Sequence, residues 1–202
     1  DVERSRGLGD VYKRQFLGHA TLEIQINEFN LLVDPFISGN PMASEINLDD
    51  LKPDFILISH AHQDHTLDVE KLAKDNNSLI ISNFEIVSHF QSKGLNGHPM
   101  NHGGKWNFDF GELKYVNAIH TSTFPDGSNG GQPGGFIITS NNKSIYIAGD
   151  TALTYDMKLI PINYNLDLAI LPIGDNFTMG YKDAMIALSL IHISEPTRPL
   201  YI

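Results

Sequence analysis

The feature that most constrains the fold is a group of histidines directly after a buried strand. The run PDFILIS at residues 53–59 becomes apolar after its proline, which is typical of a strand covered on both faces. It leads into HAHQDH at residues 60–65. His60 and His62 lie two residues apart on an extended segment, so they face the same way and can chelate one ion. The alternative interpretations are a solvated polar loop and an accidental metal-binding tract.

The same short segment offers ligands for a second ion. Asp64 and His65 fall on the turn that follows the first two histidines, so they can reach a neighbouring position. Neutral imidazole and carboxylate suit zinc, iron, manganese or nickel, and three protein ligands with an open position make a catalytic site. The segment therefore predicts part of a metal site whose other ligands lie elsewhere in the chain.

Three further apolar runs end in a residue that can bind or organise a metal ion. NLLVD ends at Asp34, YVNAI is followed by His120, and IYIAG is followed by Asp150. Strands that end at the same rim of a sheet would gather these side chains into one cleft. We expect His120 to supply the third imidazole at the first ion and Asp150 to bridge both ions. Asp34 is expected to orient a ligand histidine.

Each of these residues also has an ordinary interpretation. Taken alone, His120 would be a histidine at a strand end, Asp150 a turn residue or helix cap, and Asp34 the start of a turn before a proline. His19, in GHAT, either lines the cleft or packs at the start of a strand. His102, in NHGG, lies in a predicted loop, where it contacts substrate, orients a ligand or is simply structural.

The rest of the sequence predicts a mixture of strands and helices. In the first half, strands are expected at 21–26, 29–34 and 78–82, and helices at 66–75 and 83–93. In the second half, hairpins are expected about Gly111 and about Asn141 and Asn142, followed by a strand at 167–173. This order predicts an α/β (α+β) sandwich of two mixed sheets with helices outside.

Both ends of the chain look foreign. Residues 10–15, DVYKRQ, can be encoded by codons whose reverse complement translates as LSLIHI, residues 188–193. The same relation continues outward from SRGLG to SEPTR. Folding does not call for this symmetry, whereas a sequencing adapter read through at both ends produces it. We therefore predict non-native flanks at 1–15 and 188–202, and a native window at 16–187.

Composition limits the partners. The chain has 14 Lys and Arg against 24 Asp and Glu, and its net charge is −10. An acidic surface repels phosphodiester backbones, so we expect a small-molecule substrate and no nucleic acid. Cysteine is absent, so neither disulfides nor thiolate ligands are available. No apolar run reaches the length of a membrane span. We expect a cytoplasmic protein, and whether it forms a homo-oligomer stays open.

The pattern HxHxDH with a later His and Asp resembles that of the metallo-β-lactamase superfamily. FLGHAT, LLVDPF, MNHGG, IYIAGDTAL and LPIGDNFTMG also resemble segments of the UPF0173 group of metal-dependent hydrolases. The resemblance covers 16–187 and implies an αββα sandwich with two divalent ions, zinc above all, with Mn, Fe and Ni open. It assigns His60, His62 and His120 to the first ion and Asp64 and His65 to the second, with Asp150 bridging.

The family's last ligand is a histidine beyond the predicted native window, so the resemblance also implies a domain truncated at the C-terminus. His192 falls within the predicted flank and is not its replacement. The resemblance predicts a hydrolase that uses a metal-bound hydroxide on a small ester, lactone or phosphodiester, with Asp64 orienting the hydroxide. Whether this fragment is itself active stays open. Two alternatives are an iron-binding oxidoreductase on the same fold and a noncatalytic metal-binding module.

Overall fold

The computed structural model describes residues 12–191, which divide into two compact units. The first unit comprises residues 12–101 and 121–132, and the second comprises 102–120 and 133–191. Most of the two predicted flanks, and His192 with them, lies outside the described residues. Residues 12–15 and 188–191 are described, and they continue the first strand and the last helix. The prediction of foreign ends stays a prediction.

The first unit is built on a six-stranded mixed sheet in the order β1-β2-β3-β4-β5-β6. Its strands are β1 Tyr12–Gly18, β2 Thr21–Ile26, β3 Phe29–Val33, β4 Phe55–Leu57, β5 Leu79–Asn83 and β6 Gly97–Met100. β1 to β3 are antiparallel, whereas β3 to β6 are parallel. Because parallel strands point the same way, the residues after β3 and after β4 emerge at one edge of the sheet.

Three helices accompany this sheet, α1 Gln63–Thr66, α2 Val69–Asn76 and α3 Phe84–Gln91, with short 3-10 turns at Pro41–Ala43 and Leu48–Asp50. The predicted helix at 66–75 matches α2 from Val69 onward, and only its first residue, Thr66, belongs to α1. Asp68 separates them because its carboxylate accepts hydrogen bonds from the backbone of Ile37 and Ser38, at 2.6 and 3.0 Å. α3 begins as predicted, with the Asn83 side chain accepting from the Ile86 amide at 2.9 Å.

The core of the first unit comes from the central parallel strands. Ile56, Ile58 and Ile80 are fully buried and pack with Ile86 and Phe90 of α3. Burying one such aliphatic side chain stabilises a fold by about 1.5–3 kcal/mol. This packing makes β4 a rigid base for the histidine segment that follows it.

The second unit is built on a five-stranded sheet in the order β11-β10-β9-β8-β7. Its strands are β7 Lys105–Phe108, β8 Gly111–Asn117, β9 Gly134–Ser140, β10 Lys143–Ile147 and β11 Leu168–Ile170. β7 to β10 form the two predicted hairpins, and β11 runs parallel to β10. Asn141 and Asn142 both have positive φ, 49° and 62°, as the tight turn between β9 and β10 requires.

The helices of the second unit are a 3-10 helix at Tyr155–Leu159, α4 Ile160–Asn163 and α5 Tyr181–Leu190. Ile137 and Tyr146 of the sheet pack with Met157, Ile160 and Leu166 in this unit's core. Within the described part of the chain, no helix combines the length and the hydropathy that crossing a bilayer requires.

Candidate metal centre

The histidine segment is extended at first and then becomes helical. β4 ends at Leu57, and His62 is the residue that precedes α1. His60 Nε2 and His62 Nδ1 lie 2.9 Å apart. Two nitrogen ligands of one tetrahedral zinc ion, each about 2.0–2.1 Å from it, would be about 3.3 Å apart. The two rings therefore present their nitrogens at nearly the spacing that one shared ion needs.

One buried carboxylate positions two of the histidines. Asp34 follows β3, is 1% exposed, and accepts from the Ser59 amide at 2.7 Å and from Ser59 Oγ at 2.6 Å. Its Oδ2 also lies 3.0 Å from His65 Nδ1. Ser59 Oγ in turn lies 3.0 Å from His60 Nδ1. Asp34 thus makes the contact with a motif histidine that the sequence predicted.

A threonine contacts His62, the second histidine of the motif. Thr121 Oγ1 lies 3.2 Å from His62 Nε2. The segment that carries Thr121 is anchored by Ser122, whose Oγ accepts from the Ala61 amide at 3.1 Å and donates to the Gly130 carbonyl at 2.9 Å. One ring nitrogen of each histidine of the motif therefore contacts a side-chain oxygen, and the three oxygens belong to Ser59, Thr121 and Asp34. Such contacts fix the tautomer and orientation of a ligand histidine.

A second group of possible ligands surrounds Asp64. His19 Nε2 lies 3.0 Å from Asp64 Oδ2, and His65 Nε2 lies 4.0 Å from the same oxygen. His19, Asp64 and His65 each offer a ligand atom within 4.8 Å of the others. The hydrogen bond from His19 outweighs burial and lowers the pKa of Asp64 to about 2. The structure therefore places His19 beside Asp64, and its role in the cleft stays a prediction.

The second unit holds His120 and Asp150 side by side. His120 follows β8 and Asp150 follows β10, and His120 Nε2 lies 3.8 Å from Asp150 Oδ2. Hydrogen bonds between residues close to His120 and Asp150 in sequence join the two loops. The Ile119 amide donates to Thr151 Oγ1 at 2.9 Å, and the Ala152 amide donates to the Ile119 carbonyl at 3.0 Å.

His102 lies away from that pair along the chain, before β7. Its Nε2 donates a hydrogen bond to the Pro133 carbonyl at 2.8 Å, and its ring packs at 4.9 Å from the ring of Tyr115. These contacts are those of a structural histidine, and a role towards substrate stays a prediction.

The donors fit a borderline divalent metal ion. The residues assembled in each unit offer imidazole nitrogens and carboxylate oxygens, and the chain contains no thiolate. Zinc, manganese, iron and nickel all accept this ligand set.

Known proteins with similar sequences carry the same architecture. A profile described as the Beta-lactamase superfamily domain matches residues 13–194. A UPF0173 metal-dependent hydrolase of Flavobacterium johnsoniae is 62% identical over 179 residues, which is 89% of this chain and 80% of the relative. One from Christiangramia forsetii is 60% identical over 180 residues, with the same coverage. The chain belongs to the UPF0173 family.

The UPF0173 assignment agrees with a solved structure. Igni18, a metallo hydrolase from Ignicoccus hospitalis, superposes with a TM-score of 0.80 at 31% identity and covers 89% of this chain and 78% of its own. The predicted fold class, an α/β (α+β) fold of the metallo-β-lactamase type, is thereby confirmed, and so is the UPF0173 resemblance.

Sequence reasoning missed three hydroxyl residues of this UPF0173 chain that support the predicted ligands. They are Ser59, Thr121 and Thr151. Each is the immediate neighbour in sequence of a predicted ligand, namely His60, His120 and Asp150. That adjacency was a usable signal, although Thr121 contacts His62 and not its own neighbour.

Proposed function

We propose that this chain is a metal-dependent hydrolase that acts on a small ester, lactone or phosphodiester. The observation that carries the proposal is the orientation of the motif histidines. His60 Nε2 and His62 Nδ1 face each other at 2.9 Å, while the opposite nitrogen of each ring contacts a hydroxyl oxygen. Rings held in this way are preorganised to bind a metal ion. The proposed ligands are those that the motif predicts, His60, His62, Asp64, His65, His120 and Asp150.

Two divalent ions, which we propose to be zinc, would be held by these residues and would supply the chemistry by lowering the pKa of a bound water to about 7 and stabilising negative charge on a substrate oxygen. The lowered pKa of Asp64, about 2, keeps its side chain a carboxylate in the neutral range. The carboxylate could therefore accept a hydrogen bond from a water molecule at the site and orient it. His19 holds that carboxylate in place through the contact at 3.0 Å.

The charge of the chain favours small substrates. A net charge of −10 opposes the approach of polyanions such as nucleic acids. A single ester, lactone or phosphodiester group carries little charge, so this repulsion is weak. A phosphodiester would meet more of it than a neutral ester or lactone.

The proposal is tested first by metal content. The purified protein is analysed by elemental mass spectrometry, and His62→Ala is compared with His98→Ala, which removes a histidine of β6 that is not among the predicted ligands. We expect bound divalent metal in the wild type and in His98→Ala, and reduced metal in His62→Ala. A wild-type protein that binds no divalent metal after incubation with zinc would contradict the proposal.

Activity is then measured on three chromogenic or pH-detected substrates, bis(p-nitrophenyl) phosphate, p-nitrophenyl acetate and a γ-lactone. Turnover that disappears on chelation and returns with metal supports the hydrolase. If the iron-loaded protein consumes oxygen and does not hydrolyse these substrates, the oxidoreductase alternative would replace the hydrolase proposal. Metal binding with neither activity would favour the noncatalytic module.

A further inference from the structure

The second unit has an open cavity of about 480 Å³ on the face of its sheet that packs against α4. This volume lies within the range of small-molecule sites. Of the described residues that line it, none is one of the six predicted metal ligands. The cavity is therefore a feature of the second unit that metal binding does not explain.

The strand register shows how the floor of the cavity is built. Lys114 of β8 pairs with Ile137 of β9, and Ile137 pairs with Tyr146 of β10. Residues that pair directly across neighbouring strands lie on the same face of a sheet. These three side chains therefore form one row beneath the cavity, and Met157 and Ile160 form the opposite wall. The surroundings of the row are mainly apolar.

Tyr146 brings a polar group into these apolar surroundings. The residue is 1% exposed, and burial raises the pKa of Tyr146 well above its usual range. Its hydroxyl makes no hydrogen bond with any of the residues 12–191, although the ring lines the cavity. The hydroxyl is not among the fully buried polar atoms that lack a partner, so it is accessible from the cavity and can pair with an occupant that supplies a hydrogen-bonding group.

The charges at the cavity point to a neutral occupant. Lys114 and Asp156 both line it and carry opposite charges. The Asp156 carboxylate accepts a hydrogen bond from Asn117 at 2.7 Å, and the Lys114 ammonium lies 6.0 Å from the ring of Tyr164. A ligand of either sign would meet one group of like charge, whereas a neutral ligand avoids that repulsion.

We propose that this cavity binds a neutral, mainly apolar small molecule that carries one hydrogen-bonding group, with Tyr146 as the partner of that group. The proposal does not rest on the proposed hydrolase activity, because its argument uses none of the six predicted metal ligands.

The test combines two ligands with two proteins. Binding of 1-naphthol and of naphthalene, which lacks the hydroxyl, is measured by fluorescence for the wild type and for Tyr146→Phe. We expect Tyr146→Phe to bind 1-naphthol about three- to tenfold more weakly and naphthalene with unchanged affinity, since one net hydrogen bond is lost. The melting temperature of the variant should not fall, because the hydroxyl it removes has no hydrogen-bond partner among residues 12–191.

A second variant and a direct measurement locate the site. Val116→Phe adds volume to the lining and should weaken binding of both ligands by more than tenfold. If this variant does not fold, amide chemical shifts of the wild type on addition of 1-naphthol decide instead, with changes expected around Ile137, Tyr146 and Ile160. Absence of binding up to millimolar ligand, an equal loss of both ligands in Tyr146→Phe, or shifts confined to other residues would overturn the proposal.

Discussion

The two units position their predicted metal ligands by different means. In the first unit, buried or partly buried side chains contact the rings directly, as Asp34 does with His65 and Ser59 with His60. In the second unit, the neighbours of His120 and Asp150 in sequence hold the two loops together. These are the contacts of Ile119 with Thr151 and Ala152. The four proposed ligands of the first unit depend on a side-chain network, and the two of the second unit depend on two joined loops.

This difference determines what a substitution can damage. A carboxylate that supports several buried groups cannot be removed without disturbing the fold. A ligand on a joined loop can be removed while the join stays intact. Loss of stability and loss of metal function should therefore coincide at Asp34 and separate at Asp150.

The largest effect is expected for Asp150→Ala. Hydrolysis should fall by more than about a hundredfold, because even residues that only orient metal ligands contribute about 10–100-fold. The circular dichroism spectrum and the melting temperature should stay close to those of the wild type, since the hydrogen bonds of Thr151 and Ala152 with Ile119 still join the loops. Steady-state kinetics of the metal-loaded protein measures this, with Asp183→Ala of α5 as the control. Undiminished turnover would contradict the bridging role.

Asp34→Ala should lower the free energy of unfolding by about 3 kcal/mol, because the Ser59 amide and hydroxyl lose their acceptor in a buried site. Asp34→Asn is the matched control. Asparagine keeps the shape and tolerates the positive φ of 46°, so it should be less destabilising. Urea unfolding measures both. If alanine costs less than about 1 kcal/mol, the carboxylate is not the centre of the network.

Thr121→Val should weaken metal binding by about tenfold and leave the fold unchanged. The side chain lies at an exposed position, and its hydroxyl contacts His62 Nε2 at 3.2 Å. Competition with a chromogenic chelator measures the affinity. Thr121→Ser retains the hydroxyl and should restore it. A serine variant as weak as the valine variant would show that the methyl group, and not the hydrogen bond, is responsible.

Thr151→Val should cost about 1 kcal/mol of stability, since the Ile119 amide loses one neutral acceptor in a nearly isosteric replacement. Thermal unfolding measures the loss. Thr154→Val is a useful comparison, because that hydroxyl caps the following 3-10 helix and does not join the two loops. If Thr151→Val weakens metal binding and Thr154→Val does not, the hydrogen bond between the two loops positions the predicted ligands of the second unit.

Much of the fold could be predicted because its signals are local. The hairpin at Asn141 and Asn142 follows from residues that tolerate positive φ, and α3 begins at the predicted cap, Asn83. The break between α1 and α2 could not be predicted in this way. It depends on Asp68 accepting from Ile37 and Ser38, about thirty positions away along the chain.

The sequence by itself determined which residues are candidates for metal binding, because the ligand types and their spacing in HAHQDH are a local property. Only the tertiary structure decided how each ring is held. His62 contacts a threonine 59 positions away, and His65 contacts an aspartate 31 positions away. Such partners are set by strand register and loop packing, which bring distant segments together and leave no periodic trace in the sequence.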